Sequence, residues 1–176
     1  MSPTRCTRRT VLGLLAAVVG LAGCAGGDGG DGEASPSGAG TTRASTATAA
    51  TDLNLREANV VDVVVESGPD GHRFDVTLYH DDDGEAGYAN WWQVETLDGD
   101  RLGRRDLAHA HGTRRFTRSA TVSVPEGATC VVVRGHDRTH GYGGRAALVN
   151  VETGATDPVS QGSERGSMAD RECPSG

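Results

Sequence analysis

The stretch His72-Arg-Phe-Asp-Val-Thr-Leu-Tyr-His80 alternates apolar and polar side chains along its length. Phe74, Val76 and Leu78 fall on one face of an extended chain, and the polar residues between them fall on the other. A period of two residues belongs to a β-strand with one buried and one solvated face, whereas a helix would scatter these positions around its surface. The stretch therefore predicts a β-strand.

Six further stretches have the same period. A tryptophan lies on the third strand in chain order, and turn residues such as Gly68-Pro69-Asp70-Gly71 and Pro125-Glu126-Gly127 separate the strands. Seven short strands separated by turn residues are typical of an immunoglobulin-like or fibronectin-like sandwich. We predict an all-β fold, a single antiparallel β-sandwich of about seven strands. The six stretches are residues 59–66, 88–97, 101–111, 116–124, 129–134 and 145–152.

The first 23 residues have the features of an export signal. Arg5, Arg8 and Arg9 precede an apolar run over residues 11–21, which is too short to span a bilayer as a mature helix. The Arg8-Arg9 pair resembles a twin-arginine signal, and Leu21-Ala22-Gly23-Cys24 resembles a lipobox. The resemblance implies cleavage before Cys24 and a lipid on its sulfur. The alternatives are a plain cleaved signal with a chance cysteine, or an uncleaved membrane anchor.

Composition divides the remaining chain into three parts. Residues 24–52 are mostly Gly, Ser, Thr, Ala and Asp, with little to bury, which predicts a disordered tether. Residues 53–153 contain the predicted strands and form one domain, and residues 154–176 are predicted to be a polar flexible tail. A lipid on Cys24 would hold this domain at the outer face of the cytoplasmic membrane, exposed at the cell surface.

The chain is acidic, with a formal net charge of −7 and no lysine. Removing residues 1–23 leaves 14 arginines against 24 acidic residues, a net charge of −10. From this charge we expect no binding to nucleic acid. Charge carried by Asp, Glu and Arg, with small apolar residues, resembles secreted lipoproteins of salt-loving archaea; a high-GC actinobacterium is the alternative source.

Four cysteines reduce to two in the folded part. Cys6 leaves with the signal and Cys24 would carry lipid, so Cys130 and Cys173 remain. An extracytoplasmic compartment permits a disulfide between them, which would stabilise by about 4 kcal/mol on the chain-entropy model. The alternative is a buried Cys130 and a free thiol at Cys173, and the sequence leaves both open.

Four of the six histidines lie in the second half of the predicted domain. His109 and His111 are two residues apart, so a strand would place both rings on one face, within reach of one ion. His136 and His140 lie in a loop that the sandwich would bring to the same end. The four predict a zinc or copper site. The alternative is a half-buried face whose histidines satisfy backbone groups.

Arginine is concentrated in the same region. Residues 101–145 contain nine arginines against three acidic residues, and guanidinium groups bind phosphate, sulfate or carboxylate through paired hydrogen bonds. The region therefore offers a second hypothesis, a small-anion site. The alternative is surface ion pairing with Asp81, Asp82, Asp83 and Glu85, which would add little stability. The candidate anion-binding residues are Arg114, Arg115, Arg118 and Arg138.

The word Tyr88-Ala-Asn-Trp-Trp and the later segments His109-Ala-His, Phe116-Thr-Arg-Ser and Gly141-Tyr-Gly-Gly resemble a group of small exported proteins of unassigned function. The resemblance covers residues 88–144 and implies no activity. Motifs of serine hydrolases, phosphate-binding loops and zinc proteases are absent from the sequence, which favours a non-enzymatic protein. Two classes remain: a metal- or anion-binding module on the cell surface, and a structural or interaction domain whose protein partner is not indicated.

Overall fold

The computed structural model describes residues 53–81 and 84–176. The predicted signal peptide, Cys24 and the tether to residue 52 lie outside this part. The described ranges contain nine β-strands and no helix, and therefore no helix that could cross a membrane. The strands are β1 (Asn59–Gly68), β2 (Gly71–Tyr79), β3 (Ala89–Glu95), β4 (Arg101–Asp106), β5 (Phe116–Val122), β6 (Cys130–Asp137), β7 (Gly141–Tyr142), β8 (Arg145–Asn150) and β9 (Thr156–Ser160).

The strands form two antiparallel sheets. The smaller has the order β1-β2-β5 and the larger the order β4-β3-β6-β8-β9, with β7 paired to β6. The predicted all-β sandwich is therefore confirmed. The fourth strand pairs with β3 in the larger sheet, whereas a constant-type immunoglobulin domain places it beside the first, second and fifth strands.

The core lies between the two sheets, where the alternation of β2 predicted it. Phe74, Val76 and Leu78 are fully buried and pack in one apolar cluster with Trp92 and Val133 of the larger sheet. Burying one such side chain contributes about 1.5–3 kcal/mol. Trp92 is the largest fully buried residue among those described, so the third-strand tryptophan fills the centre of the sandwich.

The fourth strand is shorter than predicted. The sequence analysis extended it from residue 101 to residue 111, but β4 ends at Asp106. Asp106 pairs with Trp91, and β3 begins only two residues before Trp91. Leu107 N still donates to Asn90 O at 2.9 Å, and little of β3 remains beyond that bond. His109 and His111 consequently lie in the connection between β4 and β5.

The segment 154–176, expected to be a flexible tail, belongs to the domain. β9 pairs with β8 along its whole length, and Cys173 forms a disulfide with Cys130, with Cα atoms 5.6 Å apart. Met168 is buried in a second apolar cluster on the outer face of the larger sheet. The sequence analysis did not predict this packing because the apolar residues of the segment are isolated from one another. The cluster comprises Val132, Ala146, Leu148, Val159 and Met168.

Residues 161–173, here called the C-terminal strap, also carry charge to this face. Glu95 is fully buried on β3, and its Oε2 accepts from Arg134 Nε at 2.9 Å and from Arg165 of the strap at 3.1 Å. The hydrogen bond to Glu95 raises the pKa of Arg165. Two guanidinium groups thus compensate the charge of the buried carboxylate. Without them, removing this charge from water would destabilise the fold by several kcal/mol.

Candidate functional site

Three connections and the entry of the chain meet at one end of the sandwich. This end is here called the loop tip and comprises, within the described residues, 53–58, 80–81, 84–88, 107–115 and 138–144. The backbone N–H of Asp81 donates to Leu55 O at 2.8 Å, and that of Arg138 donates to Tyr88 O at 3.2 Å. Thr139 Oγ1 donates to Ala86 O at 3.4 Å. These bonds tie the β2–β3 connection to both the entry segment and the β6–β7 connection.

Two buried polar residues lie where strands leave the core for the loop tip. His80 continues the inward positions 74, 76 and 78 of β2, and Asp137 continues the inward positions 131, 133 and 135 of β6. His80 is 2% exposed and Asp137 is fully buried. Neither belongs to the predicted metal set, although strand parity alone indicates that both side chains turn inward.

Asp137 organises the turn between β6 and β7. Its Oδ1 accepts hydrogen bonds from the backbone N–H groups of Thr139, at 2.8 Å, and of His140. The same oxygen lies 3.4 Å from His140 Nδ1. Oδ2 is buried and accepts no hydrogen bond from the described residues, and it lies 3.9 Å from His80 Nε2. A buried carboxylate oxygen without a donor is costly unless a cation compensates it.

His80, Asp137 and His140 form a group whose potential ligand atoms all lie within 4.8 Å of one another. Ligand atoms around tetrahedral zinc, with bonds of about 2.0–2.2 Å, lie roughly 3.3–3.6 Å apart. The group is thus slightly wider than a loaded site, and the partly exposed His140 can close it. His80 Nε2 also lies 3.0 Å from Arg56 O, a hydrogen bond that a metal on Nε2 would replace.

Of the four predicted histidines, this group contains only His140. The rings of His109 and His111 are neighbours, with centroids 4.7 Å apart, but His111 is buried against Phe116 at 3.7 Å between ring centroids. Arg118 donates to His111 Nε2 at 2.9 Å. The exposed His109 donates from Nδ1 to Ala110 O at 3.0 Å.

His136 lies on the outer face of the larger sheet. Its ring stacks on Trp91 with centroids 4.2 Å apart, and Tyr142 meets both rings edge-on. Nδ1 donates to Asn90 Oδ1 at 2.8 Å. Burial lowers the pKa of His136 below its usual value. The negative charge of Asp137 acts to raise this pKa, and the positive charge of Arg104 lowers it further. The structure therefore places His136 in an aromatic stack, apart from the His80 group.

The four candidate anion-binding arginines have different surroundings. Arg118 is engaged by His111 and by Thr117 O, to which its Nη1 donates at 2.8 Å. The guanidinium groups of Arg115 and Arg138 lie over the rings of Tyr79 and Tyr88, 5.8 and 5.5 Å from the centroids. Within the described residues, Arg114, Arg115 and Arg138 form no ion pair, and the predicted pairing with Asp81 or Glu85 does not occur. Asp82 and Asp83 lie outside the described residues.

The glycines of the Gly141-Tyr-Gly-Gly segment have a packing role. A Cβ atom on Gly143 would collide with the backbone oxygen of Ala58, and so would a Cβ atom on Gly135, which lies across the β6–β7 pair. A Cβ atom on Gly144 would collide with the carboxylate of Glu57. Gly143 N donates to Gly135 O at 2.9 Å. The glycines let the entry segment cross the larger sheet directly beside the Asp137 turn.

A relative from Halomicrobium mukohataei, named "Putative lipoprotein", is 65% identical to this chain over 128 residues. The match covers 72% of this chain and 64% of the relative, so the chain spans less than two thirds of that protein. The chain matches no family model, and no solved structure matches it. The relative's source is a salt-loving archaeon, in keeping with the resemblance that the composition indicated.

Proposed function

We propose that the protein is a lipoprotein, held at the outer face of the cytoplasmic membrane, that binds a transition metal ion at its loop tip. The anchoring part rests on Cys24 and the residues before it, together with the name of the 65% identical relative, a putative lipoprotein. The Arg8-Arg9 pair adds twin-arginine export to the proposal. A lipid on Cys24 makes the membrane the first partner of the chain.

One observation carries the metal-binding part: a carboxylate oxygen of Asp137 lies within 4.8 Å of ligand atoms of His80 and His140, and the buried Oδ2 of this carboxylate accepts no hydrogen bond from the described residues. Two imidazoles and one carboxylate form a ligand set for Zn²⁺ or Cu²⁺. The two cysteines of the domain are bridged, so the set contains no thiolate, the ligand that selects Cu(I). The proposal therefore retains zinc or copper and replaces three of the four predicted ligands.

The alternative is that Asp137 only caps the β6–β7 turn and that the two histidines pair with it. Calorimetric titration of the untagged full-length protein in detergent with ZnCl₂ and CuCl₂ separates the two. The proposal expects about one ion per chain with a dissociation constant in the micromolar range or below. The turn-capping alternative expects no binding beyond that of the buffer.

Variants assign the ligands. His140→Ala should weaken binding at least tenfold while leaving the fold intact, because its side chain is partly exposed. His80→Ala and Asp137→Asn should do the same, with circular dichroism to check folding because both side chains are buried. His72→Ala is the matched control, since His72 lies at the opposite end of β2 and bonds to Ser67 at 3.3 Å. Binding retained in His140→Ala and lost in a His109→Ala, His111→Ala double variant would contradict this ligand assignment.

A further inference from the structure

Asp81 places a second carboxylate beside His80. Its Oδ1 lies 4.0 Å from His80 Nε2, and Oδ2 of Asp137 lies 3.9 Å from the same nitrogen. Carboxylate oxygens of two residues therefore approach this imidazole nitrogen to nearly the same distance. Asp137 is fully buried, whereas 48% of the Asp81 side chain is exposed. The ligand set proposed above uses only Asp137.

The Asp81 side chain has room to turn while its backbone is held. The backbone N–H donates to Leu55 O at 2.8 Å, and the arginine ion pairs of the described residues involve other carboxylates. Asp81 does not lie within 4.8 Å of every ligand atom of the His80 group, so its carboxylate has to turn inward when an ion binds. The 4.0 Å between Oδ1 and His80 Nε2 is already close to the spacing of roughly 3.3–3.6 Å between ligand atoms of a tetrahedral ion.

The charge of the site favours a second carboxylate. Two neutral imidazoles and one carboxylate leave a net charge of +1 on a divalent ion, at a position where Asp137 and His80 are buried. A second carboxylate makes the ion and its ligands neutral together. Because removing an unbalanced charge from water is costly, the neutral set is the more stable one at a buried position.

We propose that Asp81 is the fourth ligand of the metal ion and that the loaded site is closed to outside ligands. This inference rests on the proposed metal function and deepens it. When the site closes, the Asp81 carboxylate replaces a water on the ion, no covalent bond of the protein changes, and no electron is transferred. Four protein ligands are typical of zinc sites that hold the ion, whereas catalytic zinc sites keep one position open for water or substrate. The loop tip on this account holds its ion and does not use it for hydrolysis.

The test uses cobalt as a coloured replacement for zinc and azide as a probe of open positions on the metal. Full-length protein in detergent is loaded with one equivalent of Co²⁺ and titrated with sodium azide at constant ionic strength. The visible d–d bands of the unchanged protein should not respond, because no position is open. Asp81→Ala should bind Co²⁺ at least about tenfold more weakly, since losing even a hydrogen-bond partner of a ligand has an effect of that size. Its bands should shift with azide, which enters the vacated position.

Glu85→Ala is the charge-matched control. Glu85 is an exposed acidic residue of the same connection, and within the described residues it pairs with none of the three ligands of the His80 group. This variant should match the unchanged protein in both Co²⁺ affinity and azide response.

Three results would overturn the inference and leave the metal proposal intact. They are an azide response in the unchanged protein, equal Co²⁺ affinity in Asp81→Ala and Glu85→Ala, and an Asp81→Ala variant whose bands do not respond to azide. Failure of the unchanged protein to bind Co²⁺ at all would overturn both proposals.

Discussion

His80, which follows the last residue of β2, lies 3.9 Å from Asp137, the last residue of β6. The two strands belong to different sheets, so this contact closes the sandwich at the loop tip with polar groups in place of apolar ones. A protein that needed only stability would gain from an apolar pair at these positions. This polar closure lies at the proposed metal site.

Membrane anchoring should depend on Cys24. Cys24→Ser removes the sulfur that would carry the lipid, so the protein should move from the detergent phase to the medium in a phase-partition assay of expressing cells. Replacing Arg8 and Arg9 by lysines should instead keep the precursor inside the cell. Unchanged partitioning of Cys24→Ser would contradict the lipoprotein assignment.

The close approach of the entry segment makes Gly143 intolerant of a side chain. Gly143→Ala should lower the free energy of unfolding by about 1–3 kcal/mol or more, because its Cβ would overlap Ala58 O. Urea denaturation measures the change. Gly84→Ala is the control, since a Cβ there has no heavy atom within 4 Å, and it should leave stability unchanged or slightly higher.

The C-terminal strap should contribute to stability through Met168. Met168 is 2% exposed against the outer face of the larger sheet, so Met168→Ala should cost about 2–5 kcal/mol in unfolding free energy. Val64→Ala removes a side chain that is 43% exposed and should change stability by no more than about 0.5 kcal/mol. Equal effects of the two variants would show that the strap does not pack as described.

Asp75 makes a pH-dependent contribution to the free energy of unfolding. A hydrogen bond from Ser119, with help from Arg73, lowers the pKa of Asp75 below its ordinary 3.8. A carboxyl with a depressed folded pKa stabilises the protein above the unfolded pKa, and this contribution disappears as pH falls through the folded value. Ser119→Ala should raise the Asp75 pKa toward 3.8 in an NMR titration. Thr121→Ala, on the same strand, should leave it unchanged.

The fold was largely predictable because period-two alternation in stretches such as residues 72–80 depends only on which side chains face the core. The ends of strands were less predictable. The alternation of Leu107, His109 and His111 continues beyond Asp106, although β3 offers almost no further residues for these positions to pair with. The strap was missed because Met168 is a single apolar residue in a polar segment. Its anchoring depends on a disulfide and a buried Glu95 whose partners are distant in sequence.

The candidate site was only partly predictable for a related reason. The sequence analysis selected His109 and His111 as ligands because they lie two residues apart in one strand-like stretch. His80 was not selected because no other histidine lies near it in the sequence. The parity of β2, carried one residue past its end, places His80 inward, and the parity of β6 places its last residue, Asp137, inward. Their contact across two sheets depends on how the sheets pack, which no local pattern records.

The most direct test of the metal site is its position in a crystal. Crystals of the protein grown with one equivalent of ZnCl₂ should give an anomalous difference peak at the zinc absorption edge, within about 2.0–2.2 Å of ligand atoms of His80, Asp137 and His140. A data set collected below the edge, where the peak should vanish, identifies the element. A zinc peak between His109 and His111, or no peak at the loop tip, would contradict the account.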